Sequence, residues 1–388
     1  MTIYRDGIES DKLVGLHVAF ASAVARLEKP ETPVLSYLSP NLMNLHTADG
    51  MVPFGQRAYK YKERQYLHGR TTLNGNVAAA AVSITLTDKV CRPNDIIICG
   101  DEAIELGASD DYLTFACTKS KFTGSDAAHS SGDNVYVFGT SYPESSNAPT
   151  AGPIKQTTEV TTSTDILMDS VKVSGSARYM QQYAEGNMDK ILEYTAELTI
   201  DLKQQLQTRT LWSDYQAAVG DDTAGRMDGA YERIAATNYV DFSDGNITYA
   251  DLQKMVRKCR RKGAKLLNAA LFLPDYQHDI VSQWLLSYQR YEASQRAQQI
   301  FGANCAAIQI GQTLVDIIPL SGEAMDTEAL LCSPENVGVG PKDASRVFHP
   351  EALGKKGDYD EVMIVGEYTC EWMLPYSHCY ATSLAYGT

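Results

Sequence analysis

The sequence predicts an α+β chain in which strand-rich and helix-bearing stretches are mixed rather than alternating. Three observations carry this reading. Residues 78–142 hold four short β-type runs divided by turn residues, and residues 188–212 hold one long helical pattern. From residue 246 onward helices and strands follow one another without the βαβ repetition of a doubly wound sheet. A chain of 388 residues amounts to about two to three domains.

Residues 1–50 contain one apolar stretch, 16–27 (LHVAFASAVARL), and then Pro30, Pro33 and Pro40. Proline fixes its own φ and pushes the preceding residue to extended geometry, so this segment reads as an irregular N-terminal arm. Residues 51–77 read as an extended loop. Within it Tyr59 and Tyr61 alternate with Lys60 and Lys62, and Arg64, Tyr66 and Arg70 follow. A period of two predicts a projecting strand or hairpin with one apolar and one charged face.

Residues 78–145 form a β-rich module. Its runs are 83–87 (SITLT), 95–99 (DIIIC), 112–118 (YLTFACT) and 134–138 (NVYVF), spaced as in a small sandwich or barrel. A stretch rich in Pro, Ser and Thr, residues 141–164, marks a module boundary. The next region, 146–245, is dominated by the helix of about 188–212. Asn187 can cap it, and Ile191, Leu198, Leu202 and Leu206 recur along one side. At ~1.5 Å per residue this helix spans about 37 Å, a spine.

Region 246–355 opens on Thr248-x-x-Asp251, which has the form of a capping box before a helix at 249–262. Strand-like pieces follow at 269–273, 306–310, 314–320 and 330–332, with a helix at 276–286. Residues 356–388 read as two strands around Pro375.

The charge balance, 34 Lys+Arg against 48 Asp+Glu for a net −14, argues against a general nucleic-acid binder. An apolar share of 44% and a charged share of 21% exclude global disorder. No apolar run approaches the ~20 residues of a membrane-spanning helix. The opening MTIYRDGIESDKLVG lacks a basic-then-apolar signal, and Cys91, Cys99, Cys117, Cys259, Cys305, Cys332, Cys370 and Cys379 are scattered without a CxxC pair. Reduced thiols in a cytosolic setting are expected.

Catalytic signatures are missing: the sequence has no GxSxG, HExxH, GxGxxG or GxxxxGK[ST]. No enzyme activity, cofactor or metal centre is predicted. Gly338-Val339-Gly340-Pro341-Lys342 reads as a turn. His378 and Cys379, neighbours on opposite strand faces, read with Cys370 as core packing. Two charged groups stand out. Asp189, Glu193, Glu197 and Asp201 step by four along the spine helix, largely opposite its apolar stripe. They are either a solvated face or an acceptor for a neighbour's cations, since like charges at i,i+4 cost a few tenths of a kcal/mol per pair. Arg257, Lys258, Arg260, Arg261, Lys262 and Lys265 form a run of cations without an intervening acid. This run suits a helix C-terminus, a subunit contact or a nucleic-acid contact.

Short segments add a resemblance. Arg92-Pro93-Asn94-Asp95-Ile96-Ile97 resembles an Arg-Pro-Gly-Asp strand opening, with Asn94 in place of Gly. Ser170-Val171-Lys172-Val173-Ser174-Gly175-Ser176 resembles a strand and turn before a spine helix. Thr248-Tyr249-Ala250-Asp251-Leu252 is similar to an axial-domain helix start, and Gly366-Glu367-Tyr368-Thr369-Cys370-Glu371 to a C-terminal Glu-x-Thr-x-Glu strand. With the module order, these resemble tailed-bacteriophage major capsid proteins of the Hong Kong 97-type fold, in the family with a β-rich insertion beside the extended loop.

The resemblance implies a peripheral domain at 146–245, an axial domain at 246–355, and a return of 356–388 to the peripheral domain. It implies self-assembly into hexamers and pentamers of an icosahedral or prolate shell around double-stranded DNA. The scattered cysteines and lack of an export signal lead us to expect assembly in the host bacterial cytoplasm. The partners implied are further copies of the chain, with decoration, portal and scaffolding proteins, and DNA contacted weakly. The loop residues Tyr59–Arg70 would reach a neighbour, their cations meeting the spine-helix acids. An encapsulin-like compartment or another virion protein is the alternative. An acidic chain suits a container that surrounds DNA without adhering to it.

Overall fold

The structure is a computed structural model that describes residues 32–39, 42–47, 49–52, 57–64, 69–119, 126–140, 142, 144, 147, 157–176, 190–219, 222–235, 238–261, 263–286, 307–320, 325–354 and 357–386. The chain divides into two compact units, residues 1–61 with 159–388, and residues 62–158. It begins with α1 (Pro33–Leu38) and β1 (Ala58–Glu63).

The second unit then follows, with β2 (Arg70–Thr72), β3 (Ser83–Thr85), β4 (Ile96–Cys99), β5 (Glu102–Leu106), β6 (Thr114–Thr118) and β7 (Asn134–Gly139). They form one antiparallel sheet in the order β2-β7-β4-β5-β6-β3. Alternation sends Ile97, Ile104, Phe115 and Val135 inward, where they join Leu73, Ile84, Leu86 and Leu106 in one apolar core. The sequence reading passed over β5, because Glu102 and Glu105 interrupt its apolar pattern. Asn94 has a φ of 71°. That left-handed geometry is the one its Gly counterpart would adopt freely, and Asn tolerates it better than other residues. Asp95 Oδ2 accepts from the Arg92 backbone N–H at 2.7 Å and tightens the same turn.

The main unit resumes with β8 (Thr158–Ser163), β9 (Asp165–Ser174), α2 (Lys190–Trp212), α3 (Ala230–Ala235), β10 (Tyr239–Gly245), α4 (Tyr249–Arg261), β11 (Asn268–Pro274) and α5 (Asp275–Leu286). It closes with β12 (Ala307–Ile310), β13 (Thr313–Leu320), β14 (Ala329–Cys332), β15 (Val337–Pro341), β16 (His349–Ala352), β17 (Tyr359–Trp372) and β18 (Cys379–Leu384). A mixed sheet runs β10-β18-β14-β11-β13-β12, with β11–β13 and β10–β18 parallel. Thr248 and Asp251 form the expected capping box, each side chain accepting from the other's backbone N–H at 3.2–3.3 Å. The helix that follows buries Leu252, Met255, Val256 and Cys259 against Leu271, Leu273, Val315 and Ile317 of the sheet.

The 14-residue β17 organises the rest. One edge pairs with β9 from Tyr359↔Ser174 to Tyr368↔Asp165, and the other takes β16 and then β15. Leu198, Leu202 and Leu206 of α2 pack with Leu167, Tyr368 and Trp372 in a second core. The apolar stripe read from the sequence is the buried face of this helix.

Two readings are corrected here. Residues 32–39 of the arm are not irregular: Val34, Leu35 and Leu38 lie in the core with α2, and Gln207 accepts from the Val34 N–H at 3.1 Å. Pro33 starts a short helix instead of preventing one, because its missing N–H is no loss in a first turn. The apolar stretch 16–27 lies outside the described residues. Gly338 and Gly340 do not make a turn but lie in buried strand β15, with Asn44, Leu45 and Gly50 laid across them.

His378, Cys370 and Cys379 are core residues, fully or almost fully buried. His378 Nε2 donates to the Met373 carbonyl at 2.9 Å, while Nδ1 accepts from the Ser333 N–H at 3.3 Å. A second ring proton would set donor against donor. Burial, with Arg233 nearby, lowers its pKa to about 4. A lowered folded pKa makes the contribution complete above the unfolded value near 6.5 and lost as pH falls toward 4. We expect unfolding free energy to fall by up to about 3 kcal/mol across that window, and His378→Gln to flatten this part of the profile. Denaturant titrations at pH 7 and pH 4.5 check this; an unchanged slope in the variant would contradict it.

Candidate functional site

The root of the predicted loop is built by β1 pairing with β8. The period of two is real, and β1 has the burial alternation expected. Its faces are used differently, however. Tyr59 and Tyr61 are buried inside their own subunit with Leu45 and Val52, and their rings stack with centroids 6.1 Å apart. They are therefore not available to a partner.

Tyr59 reaches Glu371 of β17, a fully buried carboxylate. Glu371 Oε2 also takes His46 Nδ1 at 2.6 Å, and both carboxylate oxygens accept from the His46 backbone N–H at 3.2 and 3.3 Å. His46 Nε2 faces the Glu335 carbonyl at 2.8 Å. Both ring nitrogens thus face acceptors, which favours the imidazolium. The hydrogen bond to Glu371 is the main cause of a raised His46 pKa, opposed by burial. Burial, then the Glu371 bond, raises the Tyr59 phenol above its ordinary range. One carboxylate therefore fastens the N-terminal segment and the loop root to the central strand. Sequence reasoning missed this residue as a site, since its partners lie 312 and 325 positions away.

The remaining loop cations separate. Lys60 pairs with Glu159 at 2.6 Å on the surface of the main unit, and this bond holds its pKa up. Lys62 and Arg64 are exposed. Tyr66 lies outside the described residues. Arg70 is engaged within the β unit, donating to Asn134 Oδ1 at 2.9 Å and lying 5.1 Å from the Tyr136 ring centroid.

On α2 the acids Glu193, Glu197 and Asp201 are half-buried, and Asp189 lies outside the described residues. The most exposed face of α2 is instead Leu192, Ala196 and Ile200, with Leu192 at 69% and Ile200 at 41%. The described acids flank an outward apolar stripe, an arrangement compatible with either a solvated face or an acceptor for a neighbour's cations. Ile166 and Met168 are likewise exposed on β9, while Leu167 between them enters the core.

The basic run also divides. Lys258 donates to the Tyr239 carbonyl, and Arg260 Nη2 to Thr313 Oγ1 at 2.5 Å, so both tie α4 to neighbouring chain. Arg257, Arg261 and Lys265 are exposed, and Lys262 lies outside the described residues. Among the described residues no helix is long and apolar enough to cross a membrane. These features are surfaces and fastenings, with chemistry suited to association.

Comparison with known proteins fits that character. The family described as SU10 major capsid protein matches residues 15–385. The capsid asymmetric unit of cyanophage A-1(L) superposes with a TM-score of 0.50 at 10% identity, over 97% of this chain and 98% of that one. The capsid of cyanophage P-SCSP1u gives 0.48 at 8% identity, over 100% and 99% of the two chains. A holo-SrpI encapsulin from Synechococcus elongatus gives 0.39 at 12%, over 60% and 80%. No curated protein matches significantly. The fold is the Hong Kong 97-like α+β fold of phage capsid proteins. The chain belongs to the SU10 major capsid protein family and is a structural subunit of a virion's capsid shell, where it associates with copies of itself.

Proposed function

We propose that this subunit forms hexamers and pentamers of an icosahedral or prolate shell that encloses double-stranded DNA, assembled in the cytoplasm of a bacterial host and without catalytic activity. The observation that carries the reading is the family match across residues 15–385. The net charge of −14 supports a shell that surrounds DNA without holding it tightly. In this reading the β10-β18-β14-β11-β13-β12 sheet with α4 is the axial region, and α2 with β9 and β17 is the peripheral region. Of residues 356–388, β17 then returns to the peripheral region while β18 joins the axial sheet. Residues 62–158 are the β-rich insertion with the loop. Decoration, portal and scaffolding proteins are the further partners.

For subunit contacts the outward loop cations and the outward face of α2 are favoured over Tyr59, Tyr61 and Arg70, which are used internally. Lys62 and Arg64 of the loop are candidates to meet Glu193, Glu197 and Asp201 of a neighbour, with Leu192 and Ile200 as the apolar centre. Arg257, Arg261 and Lys265 are candidates for a second subunit contact or for the DNA surface. Lys62→Glu with Arg64→Glu should weaken association about tenfold or more, the equivalent of about 1.4 kcal/mol, and leave the subunit's thermal midpoint unchanged. Particle yield on gradients and calorimetry read this; full yield from the variant would sink the loop assignment. Nuclease-resistant DNA in purified particles supports the genome container, and packaged protein instead of DNA contradicts it.

A further inference from the structure

The sequence shows no metal-ligand spacing, yet the β unit brings three donor types together. Cys99 ends β4, His129 lies in a bridge with Val77, and Asp133 immediately precedes β7. The Cys99↔Val135 pairing of β4 with β7 draws these distant positions into one place. Cys99 Sγ, a His129 ring nitrogen and an Asp133 carboxylate oxygen all lie within 4.8 Å of one another. Ligands bound tetrahedrally to zinc stand about 3.3–3.8 Å apart, given zinc–ligand bonds of about 2.0–2.3 Å. Side-chain shifts of roughly an ångström close the trio.

The groups behind the trio set it apart from chance neighbours. Glu102, 3% exposed, holds His129 Nε2 at 2.7 Å through Oε2. A carboxylate on one ring nitrogen fixes the tautomer and leaves Nδ1 for an ion, the usual arrangement behind a metal-binding histidine. Lys119 Nζ lies 3.4 Å from the same Glu102 oxygen, and its side chain is equally buried. The charges then close. A divalent ion, the Cys99 thiolate and the Asp133 carboxylate cancel, and Glu102 and Lys119 cancel behind them. Cys99 is fully buried and Asp133 partly exposed, so an ion would reach the trio from the Asp133 side. Thiolate with imidazole selects zinc over magnesium or calcium.

We propose that Cys99, His129 and Asp133 form a zinc site, with Glu102 as the positioning residue for His129. The ion ties the end of β4 to the segment leading into β7. The described cysteines are free thiols, so no disulfide among them supplies such a tie. A metal clip suits a small β unit with a modest core.

The test uses the full-length chain, stripped with a chelator and titrated with Zn²⁺ and with Co²⁺ against a chromophoric competitor. The expected result is one ion per chain and a thiolate-to-cobalt charge-transfer band. Cys99→Ser and Asp133→Asn should bind at least about 100-fold more weakly, and Glu102→Gln about 10–100-fold more weakly. Cys91→Ser, a buried cysteine of the same unit outside the trio, should bind as the parent does. If a ligand variant fails to fold, the charge-transfer band of the parent chain decides. A missing band, a stoichiometry near zero, or equal loss in Cys91→Ser overturns the site.

Discussion

Glu371→Ala should lower the unfolding free energy by about 2–4 kcal/mol, less than the cost of breaking a wholly buried charged pair because the His46 side chain is 38% exposed. Glu371 is fully buried in β17, where it serves the His46 ring, the His46 backbone N–H and the Tyr59 hydroxyl together. Removing it leaves an imidazolium and a buried hydroxyl facing a void. Glu371→Gln keeps the shape and part of the bonding, so its cost should be smaller, about 1–3 kcal/mol. The loss should appear first as release of residues 42–52 and of β1, read as faster amide exchange there than in α4. His46 gives the pH dependence its sign. Its folded pKa is raised, so its contribution is complete below the unfolded value near 6.5 and is lost as pH rises through the folded one. The parent should lose stability on that rise, and Glu371→Ala should not. Equal stability of Glu371→Ala and parent at pH 6 would contradict the role assigned to this carboxylate.

Gly340→Ala and Gly338→Ala should each destabilise by about 1–3 kcal/mol or more, the range for overpacking. A Cβ on Gly340 would stand 2.4 Å from the Gly50 carbonyl oxygen and 2.7 Å from Leu45 Cγ. One on Gly338 would stand 2.4 Å from the Asn44 carbonyl oxygen. These obstacles are mainly backbone, so a rotamer change cannot absorb them. The overlying segment would lift, and with it the bonds from Asn44 N–H to Val339 at 3.0 Å and from Val52 N–H to Pro341 at 3.1 Å. Gly354→Ala is the control, since a Cβ there meets nothing within 4 Å. Urea midpoints of the three variants decide the matter; equal midpoints would mean that residues 44–50 do not need the two bare glycines.

What could be read from the sequence was local. Thr248 and Asp251 announced α4, and the spacing of Leu198, Leu202 and Leu206 announced the buried face of α2. Alternation at Tyr59–Lys62 identified a strand but not its environment, because Glu371 and Trp372 lie more than 300 positions downstream. The glycines of β15 looked like turn residues for the same reason: the segment that crosses them comes from the other end of the chain. The acids of α2 kept their period, yet Leu192 and Ile200 took the outward face, which an isolated helix would not choose. Cys99, His129 and Asp133 have no spacing that suggests a joint role until strand pairing supplies it.

Shell formation through these surfaces is most directly tested by expressing the full-length chain and imaging it by electron microscopy across a range of concentrations. Closed shells or rings of five and six subunits are the predicted result. A monodisperse small oligomer at every concentration, with no rings or shells, would contradict the account.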